Sequence, residues 1–308
     1  MEFDIAFSNV LLTLMYILPG YLVCKSGKVT ARHLPSISAI LIYVCAPALV
    51  LSTVLQLDYS VETLRYMGEF FVVTFALQAL MLGGLYLLLR RRYADARYRV
   101  MTIGGVLGNV GFFGLPIIRA LLPDHPEVAC FSAVFMISMN LFVFTMAIYC
   151  LTGDAKYVTL KQAIVNPSSI AFIVAMALYV AHGSEWLPSM LVSYFSAIGS
   201  MTTPLCMFIL GIRLATVELK KLFTRPLVYG ICAIKLLGFP LLAFGLVSLF
   251  PFTDAFKASV LILCGTPCAS VVLSMAEMYR SEQELSANCV LVSTLLSFIT
   301  IPLLTLLA

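Results

Sequence analysis

The sequence has few charged residues. Asp, Glu, Lys and Arg make up 11% of its 308 residues, against about 25% in an average soluble domain. Hydrophobic residues make up 61%, and the mean hydropathy is +1.03. The few charges stand in short gaps between long apolar runs. This pattern excludes a disordered chain and a disulfide-stapled secreted domain, and it favours an α-helical integral membrane protein.

Several chemical motifs are also missing. The nine cysteines contain no Cys-x-x-Cys pair, so we interpret them as small buried hydrophobes. No Gly-x-x-x-x-Gly-Lys-Ser/Thr motif occurs, which argues against ATP hydrolysis by a P-loop. Asp, Glu and His do not cluster within the apolar runs. We therefore expect no catalytic residues, no metal site and no cofactor, and an intramembrane enzyme is a weak hypothesis.

Ten apolar runs are long enough to span a bilayer, which takes about twenty residues. Acidic Glu2 and Asp4 precede the first run and basic Lys25 follows it. A cleavable signal peptide has the opposite order of charge, so we interpret the first run as a membrane helix. The predicted spans are 5–24, 36–56, 69–89, 100–122, 128–151, 168–184, 190–214, 226–249, 257–276 and 285–307.

The basic residues predict how the chain is oriented. Fifteen of the 19 Lys and Arg residues follow odd-numbered spans, and Arg65, Arg119 and Lys257 lie on the other side. The positive-inside rule then places the basic loops in the cytoplasm and both termini outside it. This asymmetry also explains the net charge of +4 without a nucleic-acid partner.

The spacing of the spans predicts two related halves. We expect a first five-helix repeat at 1–151, a short cytoplasmic linker at 152–167 and a second repeat at 168–308. At an offset of 157 residues, spans two to five fall close to spans seven to ten, and the matched pairs are Pro47 with Pro204, Gly108 with Gly265, Gln78 with Lys235, and Asn140 with Ser297. Because each half has an odd number of helices, the halves have opposite orientations, as in many secondary transporters.

Spans four and nine are predicted to be broken helices. Span four has five glycines and one proline between Gly104 and Pro116, and span nine contains Gly265-Thr266-Pro267. Such residues disfavour a continuous helix. Broken helices that meet near the midplane expose N–H groups and suit an anionic ligand. The alternative is that these residues serve helix packing and kinking, as we also infer for Pro47 and Pro204.

Three polar residues inside the spans are candidates for the site. Asn109 lies in the break of span four and could donate and accept hydrogen bonds. Lys235 is an ionisable residue well inside span eight, where such groups are costly and often functional. It could pair with a substrate carboxylate or hold the carbonyl end of a broken helix. Asn140 forms the third candidate, with interhelical hydrogen bonding as its alternative role.

These motifs give the chain its resemblance to a known family. It resembles the auxin efflux carrier family in its compact bacterial form. The resemblance rests on four motifs that occur in the family's order, namely Gly108-Asn109-Val110-Gly111-Phe112-Phe113-Gly114-Leu115-Pro116, Thr203-Pro204-Leu205, Lys235 ahead of Pro240, and Gly265-Thr266-Pro267.

The resemblance implies an all-α fold of ten transmembrane helices in two inverted five-helix repeats. Spans one, two, six and seven would form a scaffold, and spans three to five and eight to ten a transport domain with crossed, broken helices four and nine. The implied substrate is a small organic anion, such as auxin or, in bacterial relatives, malate or malonate. The residues expected to bind it are Asn109, Gly111, Pro116, Thr266, Pro267, Lys235 and Asn140.

The leading hypothesis is therefore a permease of the bacterial inner membrane that works by alternating access. The linker of sixteen residues lacks the long loop of many plant carriers, which disfavours auxin as the natural substrate. A proton or a sodium ion could be coupled to transport, and a homodimer is compatible with the sequence. The alternatives are a sodium-coupled symporter of the bile-acid type and a membrane sensor that binds a small ligand without transporting it.

Overall fold

The computed structural model describes residues 3–158, 160–218, 222 and 224–307, and within these residues the chain is helical without strands. Met1, Glu2, Lys220 and Lys221, which bear on the predicted orientation, lie outside them. The helices are α1 Phe3–Lys25, α2 Ala31–Leu55, α3 Val61–Arg92, α4 Ala96–Gly104, α5 Val110–Leu121, α6 Val128–Thr152, α7 Leu160–Ile164, α8 Pro167–Val180, α9 Gly183–Trp186, α10 Ser189–Thr216, α11 Pro226–Val247, α12 Asp254–Cys264, α13 Ser270–Met278 and α14 Gln283–Leu307.

Seven predicted spans are confirmed as helices that are long and apolar enough to cross a membrane. Within the described residues these are α1, α2, α3, α6, α10, α11 and α14. The other three predicted spans contain shorter helices. Span six is the 14-residue α8, span four is divided into α4 and α5, and span nine is divided into α12 and α13. The count of ten spans therefore remains a prediction.

Helices α1 and α10 pack closely because glycines lie at their contact. A Cβ atom added at Gly20 would overlap the backbone oxygen of Phe208, and one added at Gly211 would overlap that of Ile17. Small residues allow this backbone approach between membrane helices. The same helix bundle includes α2, which packs against α8 and α10.

A second group of contacts joins α3 to α6 and α11 to α12 and α14. At its centre three buried aromatic rings come from three different helices. The Phe70 ring of α3 stacks on Phe131 of α6 at 4.4 Å between centroids, and Phe256 of α12 meets both edge-on at 5.0 and 5.6 Å. Offset and edge-to-face pairs of this kind stabilise a core beyond their buried area.

Three prolines each follow a π-helical turn by two residues. Pro47 follows Leu41–Cys45, Pro116 follows Val110–Gly114, and Pro240 follows Ile234–Gly238. Proline has no N–H and its ring clashes with the carbonyl one turn earlier, so a wider turn relieves the crowding. Pro204 lies just after the joint at Met201 in α10.

We predict that Gly211→Val destabilises the folded protein, because its side chain would collide with the backbone of α1. Overpacking of this kind costs about 1–3 kcal/mol. The melting temperature of purified protein in detergent measures the effect. Gly68→Val is the matched control, since a Cβ at Gly68 has open space around it. Equal melting temperatures for Gly211→Val and the parent would contradict the close packing of α1 and α10.

Candidate functional site at the crossing of two broken helices

Two interruptions of the same length face each other inside the bundle. Helix α4 ends at Gly104 and α5 begins at Val110, while α12 ends at Cys264 and α13 begins at Ser270. Each break therefore contains five residues, at 105–109 and 265–269. The sequence-based prediction of broken helices agrees with both positions.

The two breaks are joined by their own backbones. The N–H of Asn109 donates to the carbonyl of Pro267 at 2.8 Å, and the N–H of Ala269 donates to the carbonyl of Leu107 at 3.0 Å. Gly108 and Cys268 thus form an isolated antiparallel bridge. Because buried backbone groups need partners, each extended segment satisfies polar groups that the interrupted helix of the other has lost.

Glycine is required at position 108 by the closeness of the two segments. A Cβ atom there would lie 2.5 Å from Thr266 Oγ1 and 2.9 Å from Lys235 Nζ. Both are far inside van der Waals contact distance. A side chain at this position would therefore push the two breaks apart.

Lys235 binds the carboxyl-terminal end of α12, the first of the two half-helices into which span nine is divided. Its side chain is fully buried, and Nζ donates a hydrogen bond to the carbonyl oxygen of Cys264, the last residue of α12. The ammonium group also lies 5.3 Å from the centroid of the Phe239 ring. A cation at this position stabilises the negative end of the α12 dipole and a carbonyl that the break leaves without a helical donor.

Side chains from neighbouring helices form hydrogen bonds with three further backbone groups at or next to the breaks. Thr203 Oγ1 of α10 donates to the Phe112 carbonyl at 2.6 Å, which Pro116 deprives of its usual donor. Ser132 of α6 donates to the Val110 carbonyl at 2.7 Å. Ser293 of α14 accepts from the N–H of Cys268 at 3.0 Å. The crossing is thus fixed from three sides.

A cavity of about 420 Å³ lies beside the crossing. Its walls come from α2, α5, α6, α10, α13 and the α7–α8 segment. Much of the wall is apolar, and the polar groups are concentrated near the break and the far end. The lining residues used below are Gly108, Asn109, Gly111, Met136, Met139, Asn140, Phe144, Gln162, Asn166, Cys206, Ile209, Leu210, Arg213, Ser270, Val271 and Met278.

Two helix N-termini line this cavity. In α5 the first helical bonds run from Phe113 and Gly114 to the Asn109 carbonyl, at 3.1 and 3.0 Å, so the N–H of Gly111 lies before them. In α13 the N–H groups of Ser270 and Val271 occupy the same position. First-turn N–H groups have no acceptor within their own helix, and they carry the positive end of its dipole.

Asn109 belongs both to the crossing and to the cavity lining. It is 5% exposed and lines the cavity, and its amide nitrogen donates to Cys206 Sγ at 3.7 Å. A bond of this length to sulfur is weak, so a ligand oxygen would be a better acceptor.

The predicted site residues divide into two sets. Asn109, Gly111 and Asn140 line the cavity together with Gly108. Pro116, Thr266, Pro267, Lys235 and Gly265 do not belong to its lining, nor do Pro47 and Pro204. Thr266 Oγ1 instead donates to the Leu263 carbonyl at 2.8 Å, and the Pro267 carbonyl accepts from Asn109. Lys235, Gly265, Thr266 and Pro267 therefore build the crossing beside the cavity, whereas the three prolines Pro47, Pro116 and Pro204 lie within helices.

The cavity extends from the crossing toward the basic loops. Its lining includes Gln162 and Asn166 before α8, Arg213 near the end of α10 and Met278 at the end of α13. All of these lie next to loops that carry Lys and Arg. The opposite half-helix, α12, contributes no side chain to the lining that the described residues form.

Arg213 is a residue of this cavity that the sequence analysis did not select. Its guanidinium forms a two-pronged ion pair with Glu277 of α13, with Nη1–Oε1 at 2.6 Å and Nη2–Oε2 at 2.7 Å. In the sequence both residues lie near the ends of predicted spans, where charged residues are explained by the membrane interface alone. The feature that could have identified them as a pair is their opposite charge on the same predicted side of the membrane.

Carboxylates in the basic loops are paired outside the membrane helices. A hydrogen-bonded ion pair with Arg97 lowers the pKa of Asp95, and one with Lys156 lowers the pKa of Asp154. Neither carboxylate belongs to the cavity lining. The loops at this end therefore keep their net positive charge without changing the charge of the cavity wall.

The sequence profile of the family described as "Membrane transport protein" matches residues 5–305. The chain belongs to this family, that of the auxin efflux carriers. It is similar to an uncharacterized transporter of Methanocaldococcus jannaschii, with 24% identity over 302 residues and 96% of each chain covered. It is also similar to an uncharacterized transporter of Methanothermobacter thermautotrophicus, with 23% identity over 301 residues and 96% of each covered. This membrane transport protein is thus a multi-pass membrane protein whose predicted family is confirmed.

We predict that Lys235→Met lowers the melting temperature of this membrane transport protein. The substitution keeps most of the buried volume and removes the donor to the Cys264 carbonyl. A buried acceptor without its charged donor costs about 1–3 kcal/mol. Lys161→Met, at an exposed position of α7, is the control. An unchanged melting temperature for Lys235→Met would show that the hydrogen bond to the half-helix contributes nothing to stability.

Proposed function

We propose that this protein carries a small organic carboxylate across the bacterial inner membrane by alternating access, and that the carboxylate binds in the cavity beside the crossing. The observation that supports this most strongly is the pair of helix N-termini that line one cavity together with the Asn109 amide. First-turn N–H groups and the dipole of each half-helix favour a negative charge.

Each cavity-lining residue has a defined role in this proposal. The Asn109 amide donates to one carboxylate oxygen, and the N–H groups of Gly111 and Val271 approach from the two half-helices. Asn140 supplies a further polar contact from α6. Lys235, Thr266 and Pro267 act as positioning residues, because they fix the geometry of the crossing and do not line the cavity.

The wall of the cavity favours an anion of low charge with an apolar part. Met136, Met139, Phe144 and Leu210 supply apolar surface, and Arg213, already paired with Glu277, is the one charged side chain in the lining formed by the described residues. A dianion would find a partner for its second charge only by displacing Glu277 from Arg213, which leaves the Glu277 carboxylate without its partner and is costly away from water. The wall therefore supports a monocarboxylate such as an arylacetate over malate.

The inverted-repeat architecture explains how such a site could be opened to either side. The donors of the crossing, Asn109 and Ala269, are 160 residues apart, and so are its acceptors, Leu107 and Pro267. Equal separations of this kind occur in any antiparallel bridge, but the two breaks themselves, at 105–109 and 265–269, also have the same length and lie 160 residues apart. This spacing supports two inverted five-helix repeats. Their equivalent residues at the crossing are separated by 160 positions, three more than the offset of 157 at which the spans of the two halves were compared.

Helix packing supports the division into scaffold and transport helices. Helices α1, α2, α8 and α10 form one connected group, and the broken helices pack with α3, α6, α11 and α14, while α1 also packs against α14 and α5 across the proposed boundary. Relative motion of two such bodies would move the crossing past α2 and α10. With the basic loops in the cytoplasm, the cavity faces the cytoplasm and both termini lie outside it.

Flux into proteoliposomes tests this function. We predict saturable uptake of at least one of radiolabelled malate, malonate and indole acetate, and at least a roughly tenfold loss of flux in Asn109→Ala, as expected when a hydrogen bond to a charged ligand is removed. Asn9→Ala is the control, because Asn9 lies in α1 outside the cavity lining and bonds only within its helix.

Flux is to be measured with imposed proton, sodium and voltage gradients. Uptake that is unchanged in Asn109→Ala would refute the site. Binding without flux under all three gradients would refute transport and favour a sensor, and strict dependence on sodium would favour a symporter of the bile-acid type.

A further inference from the structure

The cavity has one cationic side chain within the described residues, and that cation is bound to a carboxylate of the protein itself. Arg213 lies on the same face of α10 as Cys206, Ile209 and Leu210, and all four residues line the cavity. Glu277 lies on α13 and is not part of the lining. The ion pair therefore joins the cavity wall on α10 to the half-helix whose N-terminus enters the candidate site.

The guanidinium is incompletely satisfied in this arrangement. Glu277 occupies the edge formed by Nη1 and Nη2, while Nε is buried without a hydrogen-bond partner. Arginine carries five N–H donors, and a buried donor without a partner costs about as much as a lost hydrogen bond. A second carboxylate that displaced Glu277 could also accept a hydrogen bond from Nε, which Glu277 leaves without a partner.

The exposure of the pair determines how an anion would reach it. The side chains of Arg213 and Glu277 are 24% and 33% exposed. Arg213 lines the cavity and its side chain is partly exposed, so an anion in the cavity can approach it. An anion entering from the basic-loop end meets the guanidinium before it reaches the crossing, and it must compete with Glu277 for the same donors.

We propose that Arg213 is the first binding residue for the entering carboxylate and that Glu277 is its built-in competitor, so that loading of the anion releases α10 from α13. This inference rests on the proposed function. The empty carrier is held by the ion pair at its cytoplasmic end. While the carboxylate occupies Arg213 on its way to the crossing, that link is lost and the broken helices can move relative to α10.

The release of α13 can be tested without any anion. Hydrogen exchange of the α13 amides should be about fivefold faster in Glu277→Gln than in the parent, because one partly buried ion pair holds the end of the helix. Glu284→Gln is the matched control, since it removes the exposed ion pair with Arg225 at the same end of the molecule. Equal hydrogen exchange of α13 in Glu277→Gln and in the parent would contradict the proposal that the Arg213–Glu277 ion pair holds α13 to α10.

The competition is tested by equilibrium binding of malate, malonate and indole acetate in nanodiscs. We expect affinity to rise about fivefold in Glu277→Gln and to fall about tenfold in Arg213→Gln, with no change in the controls Arg225→Gln and Glu284→Gln. The double variant Arg213→Glu with Glu277→Arg should restore slow exchange of α13 without restoring affinity, because position 277 lies outside the cavity wall.

The outcomes separate this inference from the proposed function. If an anion binds the parent and Arg213→Gln binds it equally well, the competition is wrong and the proposed carrier function stands. If the charge-swapped variant recovers full affinity, the pair is only structural. If none of the three anions binds or is transported by the parent, the competition fails together with the proposed function.

Discussion

The site depends on the two backbone hydrogen bonds that join the breaks of α4–α5 and α12–α13. A membrane offers no water to exposed backbone groups, so an interrupted helix is stable only where other groups take over its donors and acceptors. Each break does this for the other, and the Lys235 ammonium completes the end of α12. The same interruptions that create this requirement also direct two helix N-termini into one cavity.

The two sides of the crossing have different polarity. Asn109 and the N-termini of α5 and α13 adjoin the cavity, whereas Lys235 and Thr266 are fully buried and bond to the carbonyl end of α12. Positive potential is thus available to a ligand, while the negative helix end is neutralised by a side chain of the protein. In the proposed function, this separation would let a largely apolar cavity bind an anion with few charged residues in its wall.

Most of the architecture followed from local sequence patterns. Apolar runs predicted the long helices, and the glycines and prolines from Gly104 to Pro116 and from Gly265 to Pro267 predicted both breaks, because these residues act on the backbone where they stand. The placement of side chains was less predictable. Lys235 and Thr266 point to a half-helix end rather than into the cavity, and the Arg213–Glu277 pair joins residues 64 positions apart. Such contacts depend on which helices become neighbours, and no local pattern encodes this.

The most direct test of the account is a structure of the protein in nanodiscs with bound anion, using whichever of malate, malonate or indole acetate gives saturable flux. The account predicts carboxylate density in the cavity, within hydrogen-bond distance of the Asn109 amide and of an N–H group at the start of α5 or α13. Carboxylate density on Lys235, or at a place outside this cavity, would contradict the proposed role of the crossing.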